Sequence, residues 1–269
     1  MAPKSKGRKK SAHLASTVRK DILDISYKAH VGHIGPALSI VDILAVLYEG
    51  IVRVNPQKPL DPSRDRFILS KGHAAAALFA TLCRRGFFPR KKLFTFCRHG
   101  GAFGDHPDYN PRLGIELTTG SLGHGLSVGA GLAIGLPKSR IFVLISDAEI
   151  NEGSVWEAAL FASHHKLNNL TVIVDNNGQQ AFGKTKDVLD TRPLDQKWKT
   201  FGWDTNVVGG HNHNQLYKAL VKPSKKPTVV IANTTAGYGV RFMEKKVDWH
   251  YWPMSDDQYR QAIKDIEIT

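Results

Sequence analysis

Cysteine is nearly missing from this chain: Cys83 and Cys97 are the two among 269 residues. Two thiols cannot build a disulfide framework, and no apolar run approaches the roughly 20 residues that a membrane-spanning helix needs. No Pro/Gly/Ser-rich linker interrupts the chain and no internal repeat recurs, so one large domain is expected. The opening MAPKSKGRKKSAH lacks the apolar stretch of a secretory signal. Together these absences favour a cytoplasmic protein with no membrane partner.

Acidic residues are also in short supply, with 24 Asp and Glu against 37 Lys and Arg and a net charge of +13. Such a surface suits nucleic acid, an acidic partner subunit or small anions such as phosphates. No helix-turn-helix, zinc-finger or RNP pattern accompanies the charge, so nucleic acid ranks below an anion-attracting role. Basic residues 1–12 are expected to be a disordered tail, and residues 13–269 the folded domain.

What is present reads as alternating strands and helices. Residues 14–29 place Val18, Ile22, Ile25 and Ser26/Tyr27 near the three-and-four spacing of an amphipathic helix. A second helix is expected through SIVDILAVLYEGI, and RFILSKGHAAAALFATLCRRG reads as a short strand, a turn at Ser70 to Gly72 and an alanine-rich helix. Residues 98–113 have no apolar period, and a loop of that length inside a compact domain is usually functional. TTGSLGHGLSVGAGLAIG then opens glycine-rich and continues as a small-residue helix that must pack closely against a neighbour. Further strands are expected at 141–146 and 170–175 and in TNVV and TVVIAN, with helices at 153–166 and in QLYKALVK. The order implies an α/β fold: a mostly parallel sheet covered by helices on both faces.

In such sheets ligands collect beyond the carboxyl ends of the strands. One apolar run, IFVLIS, ends at Asp147, and the next, TVIVD, ends just before Asn177. A right-handed crossover would put both on one edge, where their oxygens could share a hard cation with a backbone carbonyl, that of Gln179, and with ligand phosphates. On spacing alone the commoner role for Asp147 is to close a turn or cap the following helix.

This segment resembles the thiamine-diphosphate signature, an Asp followed about thirty residues later by an Asn. EINEGSVWEA with KLNNL and DNN is similar, more narrowly, to transketolases. GHIGPALS with His33, SKGHAAAALFATL with His73, GDHPD with His106, TTGSLGHGLS and DWHYWPM with His250 follow in the family's order. Ordered motifs over residues 31–254 are far more specific than any one alone. The resemblance implies a thiamine-diphosphate-binding fold with Asp147, Asn177 and Gln179 holding Mg2+ (or Ca2+ or Mn2+). It further implies His33, His106, His250 and Glu152 in catalysis. His73, Gly120, Ser121, Leu122, Ala148, Glu149, Asn177 and His250 are implied around the cofactor. Histidine suits transfer of sugar-hydroxyl protons because its ordinary pKa is near 6.5. By the resemblance Glu152 and Glu157 correspond to the family's subunit-interface acids; both also suit acids favoured near a helix N-terminus, a role that fits Glu157 nearly as well.

Two departures stand out. Ser146-Asp147-Ala148 replaces the family's Gly-Asp-Gly, which hurts only if position 148 needs positive φ or the phosphate approaches too closely. Tyr251 and Trp252 follow His250 where the family has a small glycine, which puts the ordinary pentose phosphates in doubt as substrates. The resemblance reaches only the first domain of a full transketolase. The expectation is therefore the N-terminal subunit of a split enzyme, inactive without a second subunit that carries the pyrimidine-binding and C-terminal domains. Two copies of each would form a heterotetramer acting on sugars or sugar phosphates. The alternatives are a relative acting on a modified sugar, a 1-deoxyxylulose-5-phosphate synthase-like or dihydroxyacetone synthase-like enzyme, and a cofactor-less structural or regulatory subunit.

Overall fold

A computed structural model describes residues 5–268. The first helix, α1 (Ser5–Ala29), is followed by α2 (Ile34–Ser39) and α3 (Val41–Gly50), then by strand β1 (Arg66–Leu69) and helices α4 (Ala75–Arg84) and α5 (Arg90–Leu93). Helix α6 (His124–Gly135) leads to β2 (Ile141–Ser146), α7 (Gly153–His164) and β3 (Leu170–Asn176). A small hairpin, β4 (Gln179–Gln180) and β5 (Gly183–Lys184), precedes α8 (Thr185–Val188) and α9 (Leu194–Thr200). The chain closes through β6 (Asp204–Gly209), α10 (His213–Val221), β7 (Thr228–Asn233) and α11 (Asp256–Ile268).

The five long strands form one sheet in the order β1-β2-β3-β7-β6, every neighbouring pair parallel. Both faces are covered, and the alternation along β2 shows it. Phe142 and Leu144 join the core built with α1 to α4, whereas Ile141, Val143 and Ile145 join the core under α6, α7 and α9. Burial on both sides explains why these strands read as unbroken apolar runs rather than as an alternating pattern.

The small-residue helix has its reason in this packing. A Cβ on Gly129 would strike Val143 of β2, and one on Gly125 would strike Ser70 at the end of β1. Helix α6 therefore lies against the sheet at a distance that only glycine permits. This close approach brings the α6 entrance over the carboxyl end of β1.

One expectation needs correction. Residues 5–12 are helical rather than a disordered tail. Ser11 is buried and its hydroxyl lies 2.7 Å from Nδ1 of His213, so the basic segment packs against α10. Lysine and arginine are good helix formers, and tertiary contact outweighs their unfavourable place at a helix N-terminus. The expectation for residues 1–4 lies outside the described residues.

Candidate functional site

The carboxyl ends of β2 and β3 meet as the crossover argument requires. Ser146 is in register with Asp175, and the N–H of Asp147 donates to the carbonyl of Asp175 at 3.2 Å. One carboxylate oxygen of Asp147 accepts from the N–H of Gly178 (3.0 Å) and the hydroxyl of Thr185 (2.8 Å), which pins the Asn176–Gly178 turn. Its other oxygen, Oδ1, is buried and has no protein partner. Burial, aided by the charge of Asp175, raises the Asp147 carboxyl to about 6 against the pull of Thr185.

Asn177 is fixed from both ends. Its amide nitrogen donates to Asp175 Oδ2 at 2.9 Å, and its Oδ1 accepts from the N–H of Gln179 at 2.9 Å. Asp175 is the hub beneath: the same Oδ2 accepts from Ser39 (2.6 Å) and from Lys71 Nζ (2.6 Å), and Oδ1 accepts from Thr234. Lys71 and Asp175 are 1% and 0% exposed, a fully buried ion pair directly under the site.

A cavity of about 230 Å3 opens over these strand ends. Among the expected residues, His73, Leu122, Ala148, Glu152, Asn177, Gln179 and His250 line it. Lys71 and Lys246 add cationic walls. Asp147 itself lines an adjoining cavity on the far side of the turn, with Asn177 shared between the two. Ala148 has φ −67° and ψ −39°, ordinary right-handed helical values, so the alanine in place of glycine carries no conformational penalty.

The four histidines converge. Ring centroids of His33 lie 5.4 Å from His73, 5.6 Å from His250 and 6.0 Å from His106, and His73 and His250 are 5.1 Å apart. His33 adopts φ 58°, and its N–H donates to the carbonyl of His250 at 3.1 Å. Gly32 makes that stitch possible, because a Cβ there would run into the backbone of Tyr251. Burial holds His33, His73 and His250 below the usual histidine range, His250 at about 4, and the positive charge of Lys71 pushes each the same way. At neutral pH these rings are uncharged, each with one N–H and one bare ring nitrogen.

That depression predicts acid lability. The unfolded chain takes up protons near pH 6.5, whereas folded His250 waits until about pH 4, so stability rises with pH across this window and is lost as pH falls through it. After allowance for partial exposure, His250 contributes a loss of about 2 kcal/mol. Urea titrations at pH 7.5, 6 and 5 should show the decline, and His250→Gln should flatten it; parallel slopes in the two proteins would refute the cause.

Other expected residues fall elsewhere. His33 and His106 stand outside the cavity lining, with His106 half-exposed in the 98–113 loop, and Gly120 and Ser121 are exposed beside it. Glu149 is fully buried and away from the cavity lining: its carboxylate accepts from Ser70 and from the N–H groups of Gly123 (2.8 Å) and Ser146 (3.2 Å). It ties the ends of β1 and β2 to the α6 entrance. Glu157 is exposed on α7. The Lys71–Asp175 pair, Thr185 and Lys246 were not singled out from sequence; SKGH contains the lysine, but nothing local announces that it is buried.

A family model for the transketolase thiamine diphosphate binding domain matches residues 10–267. The chain belongs to the transketolase family. It is 37% identical over 262 residues to 6-deoxy-6-sulfo-D-fructose transketolase subunit SqwG of Clostridium sp. (strain MSTE9), covering 95% of each chain. It is 39% identical over 260 residues to an apulose-4-phosphate transketolase subunit of Actinobacillus succinogenes, covering 94% of each. Against transketolase of Campylobacter jejuni the TM-score is 0.87 at 27% identity, over 98% of this chain and 43% of that one. The transketolase fold thus accounts for the whole described architecture.

The residues present fit a diphosphate with a divalent cation. The unpartnered Asp147 oxygen, the fixed Asn177 amide and an adjoining cavity lined by Lys71 and Lys246 bring oxygen acceptors and positive charge to the same strand ends. Among the described residues no three His, Cys, Asp or Glu side chains gather as a metal-binding group. No helix among the described residues is long and apolar enough to cross a membrane.

Proposed function

We propose that this chain is the diphosphate-binding subunit of a two-subunit transketolase that moves a two-carbon ketol unit from a ketose, or its phosphate, to an aldose. The observation that carries the reading is the meeting, at the carboxyl ends of β2 and β3, of the unpartnered Asp147 oxygen and the fixed Asn177 amide, with Asn177 lining the same cavity as His73 and His250. Asp147 and Asn177, with the carbonyl of Gln179, hold Mg2+, and Lys71 and Lys246 add positive charge beside the diphosphate. Leu122 supplies an apolar wall. Bound thiamine diphosphate supplies a nucleophilic thiazolium carbon. This chain's residues supply the proton handling: His33 and His106 take and return protons at sugar hydroxyls, and His73 and His250 donate ring N–H groups toward the diphosphate end.

Relatives named as transketolase subunits align along nearly their full lengths, which supports a second subunit carrying the pyrimidine-binding domain. Exposed Glu152 and Glu157 face that partner in a heterotetramer of two copies each, in the cytosol, where Cys83 and Cys97 stay as thiols. A modified-sugar substrate is favoured by Tyr251 and Trp252, 52% and 64% exposed directly after His250. Co-purification with the pyrimidine-domain subunit, followed by a screen of ketose donors, tests the reading. Ketol transfer should require both chains, thiamine diphosphate and a divalent cation. Activity that survives Asp147→Ala would favour a scaffold role instead.

A further inference from the structure

We propose that Asp105 is a positioning residue that fixes His106 as its Nδ1–H tautomer and so presents Nε2 as the proton acceptor for a substrate hydroxyl. The inference rests on the transketolase reading for its chemistry, but its geometry stands alone. Oδ1 of Asp105 lies 2.9 Å from Nδ1 of His106, and Oδ2 lies 4.0 Å from Nδ1 of His33. A carboxylate only accepts, so Nδ1 of His106 must be the nitrogen that carries the proton. Nε2 is left with a free lone pair. The ring atom bonded to it, Cδ2, faces Gly120, 3.6 Å from where a Cβ would stand there, so the basic edge of the ring turns toward the Thr118–Leu122 loop and away from Asp105.

Asp105 is not needed to hold its loop. The carbonyl of Phe103 accepts from the N–H of Cys97 (2.8 Å), that of Pro107 from the N–H of Thr119 (3.2 Å), and the N–H of Tyr109 donates to Thr118 (2.8 Å). The Asp105 side chain itself is 53% exposed, so its removal leaves no buried hole. The electrostatic sense is also consistent. Burial pushes the Asp105 carboxyl up, yet the hydrogen bond from His106 and the nearby imidazoles hold it below its ordinary value. As a proton passes from the hydroxyl oxygen to Nε2, the ring becomes an imidazolium and the Asp105 carboxylate offsets its charge; the same proton returns to the sugar oxygen in the reverse step. On His73 and His250, by contrast, burial and the charge of Lys71 both oppose a positive ring.

The test reads the tautomer directly. Long-range proton–nitrogen spectra of the full chain, labelled with 15N-histidine and assigned through His106→Gln, should show Nδ1–H for His106. The Nε2–H form should gain in Asp105→Ala, and Asp105→Asn, whose oxygen still accepts, should keep Nδ1–H. In the two-subunit complex Asp105→Ala should lower kcat roughly 10-fold with little change in KM, and Asp105→Asn should recover part of it. An unchanged tautomer or an unchanged kcat in Asp105→Ala overturns the proposal. A wild-type complex that transfers no ketol unit sinks the transketolase reading instead, and the spectra still decide whether Asp105 sets the state of His106.

Discussion

Asp147→Asn removes the thermal stabilisation that thiamine diphosphate with Mg2+ gives the two-subunit complex, and it lowers kcat/KM by about 10³-fold or more. The substitution is chosen for what it keeps. An asparagine oxygen at the Oδ2 position still accepts from the N–H of Gly178 and the hydroxyl of Thr185, so the turn after β3 stays in place. What disappears is the negative charge and the second, unpartnered oxygen. A cation held by one carboxylate, one amide and one backbone carbonyl depends heavily on that single charge. Ligand at about one hundred times its dissociation constant should stabilise the wild-type complex by about 2.7 kcal/mol. The variant should show none of this while its circular dichroism and ligand-free melting stay near wild type. A full ligand response in Asp147→Asn would remove Asp147 from the site.

The parts of this arrangement visible in the sequence are those that rest on local pattern. Apolar runs ending at Asp147 and just before Asn177 announced strand ends, and parallel neighbours then had no freedom to place them apart. The glycines of α6 signalled a close approach, and Gly129 against Val143 is that approach. Glycine's absence at position 148 looked like a risk and is none, because backbone angles there are ordinary. What escaped notice depends on distant partners. Glu149 stands in a cofactor-family motif, yet its buried carboxylate is spent on the N–H groups of Gly123 and Ser146, 26 and 3 residues away. Residues 5–12 look like a tail until Ser11 meets His213, 202 positions on. No periodicity encodes such pairings; only the completed fold brings them within hydrogen-bond range.

Lys71→Met destabilises the chain by about 3–5 kcal/mol, the usual cost of removing one partner from a buried ion pair. Methionine matches the length and most of the volume of the lysine stem, so the loss is electrostatic rather than a cavity effect. Asp175 is 0% exposed and keeps its bonds from Ser39, Asn177 and Thr234, but three neutral donors do not replace a cation at 2.6 Å. The effect should be visible in urea melts at pH 7.5 as a lowered midpoint with an unchanged slope. Asp175→Asn in the Lys71→Met background should restore part of the loss, and the double-mutant cycle then isolates the pair. Acid provides a second check with a fixed sign. Lys71 helps to hold His33, His73 and His250 below their ordinary range, so without it these rings protonate more readily in the folded state. The folded variant therefore loses less stability than wild type as pH falls below about 6.5. The penalty of Lys71→Met should be greatest above that pH and smaller at pH 5. A penalty that is constant with pH would mean that the lysine leaves the histidines untouched.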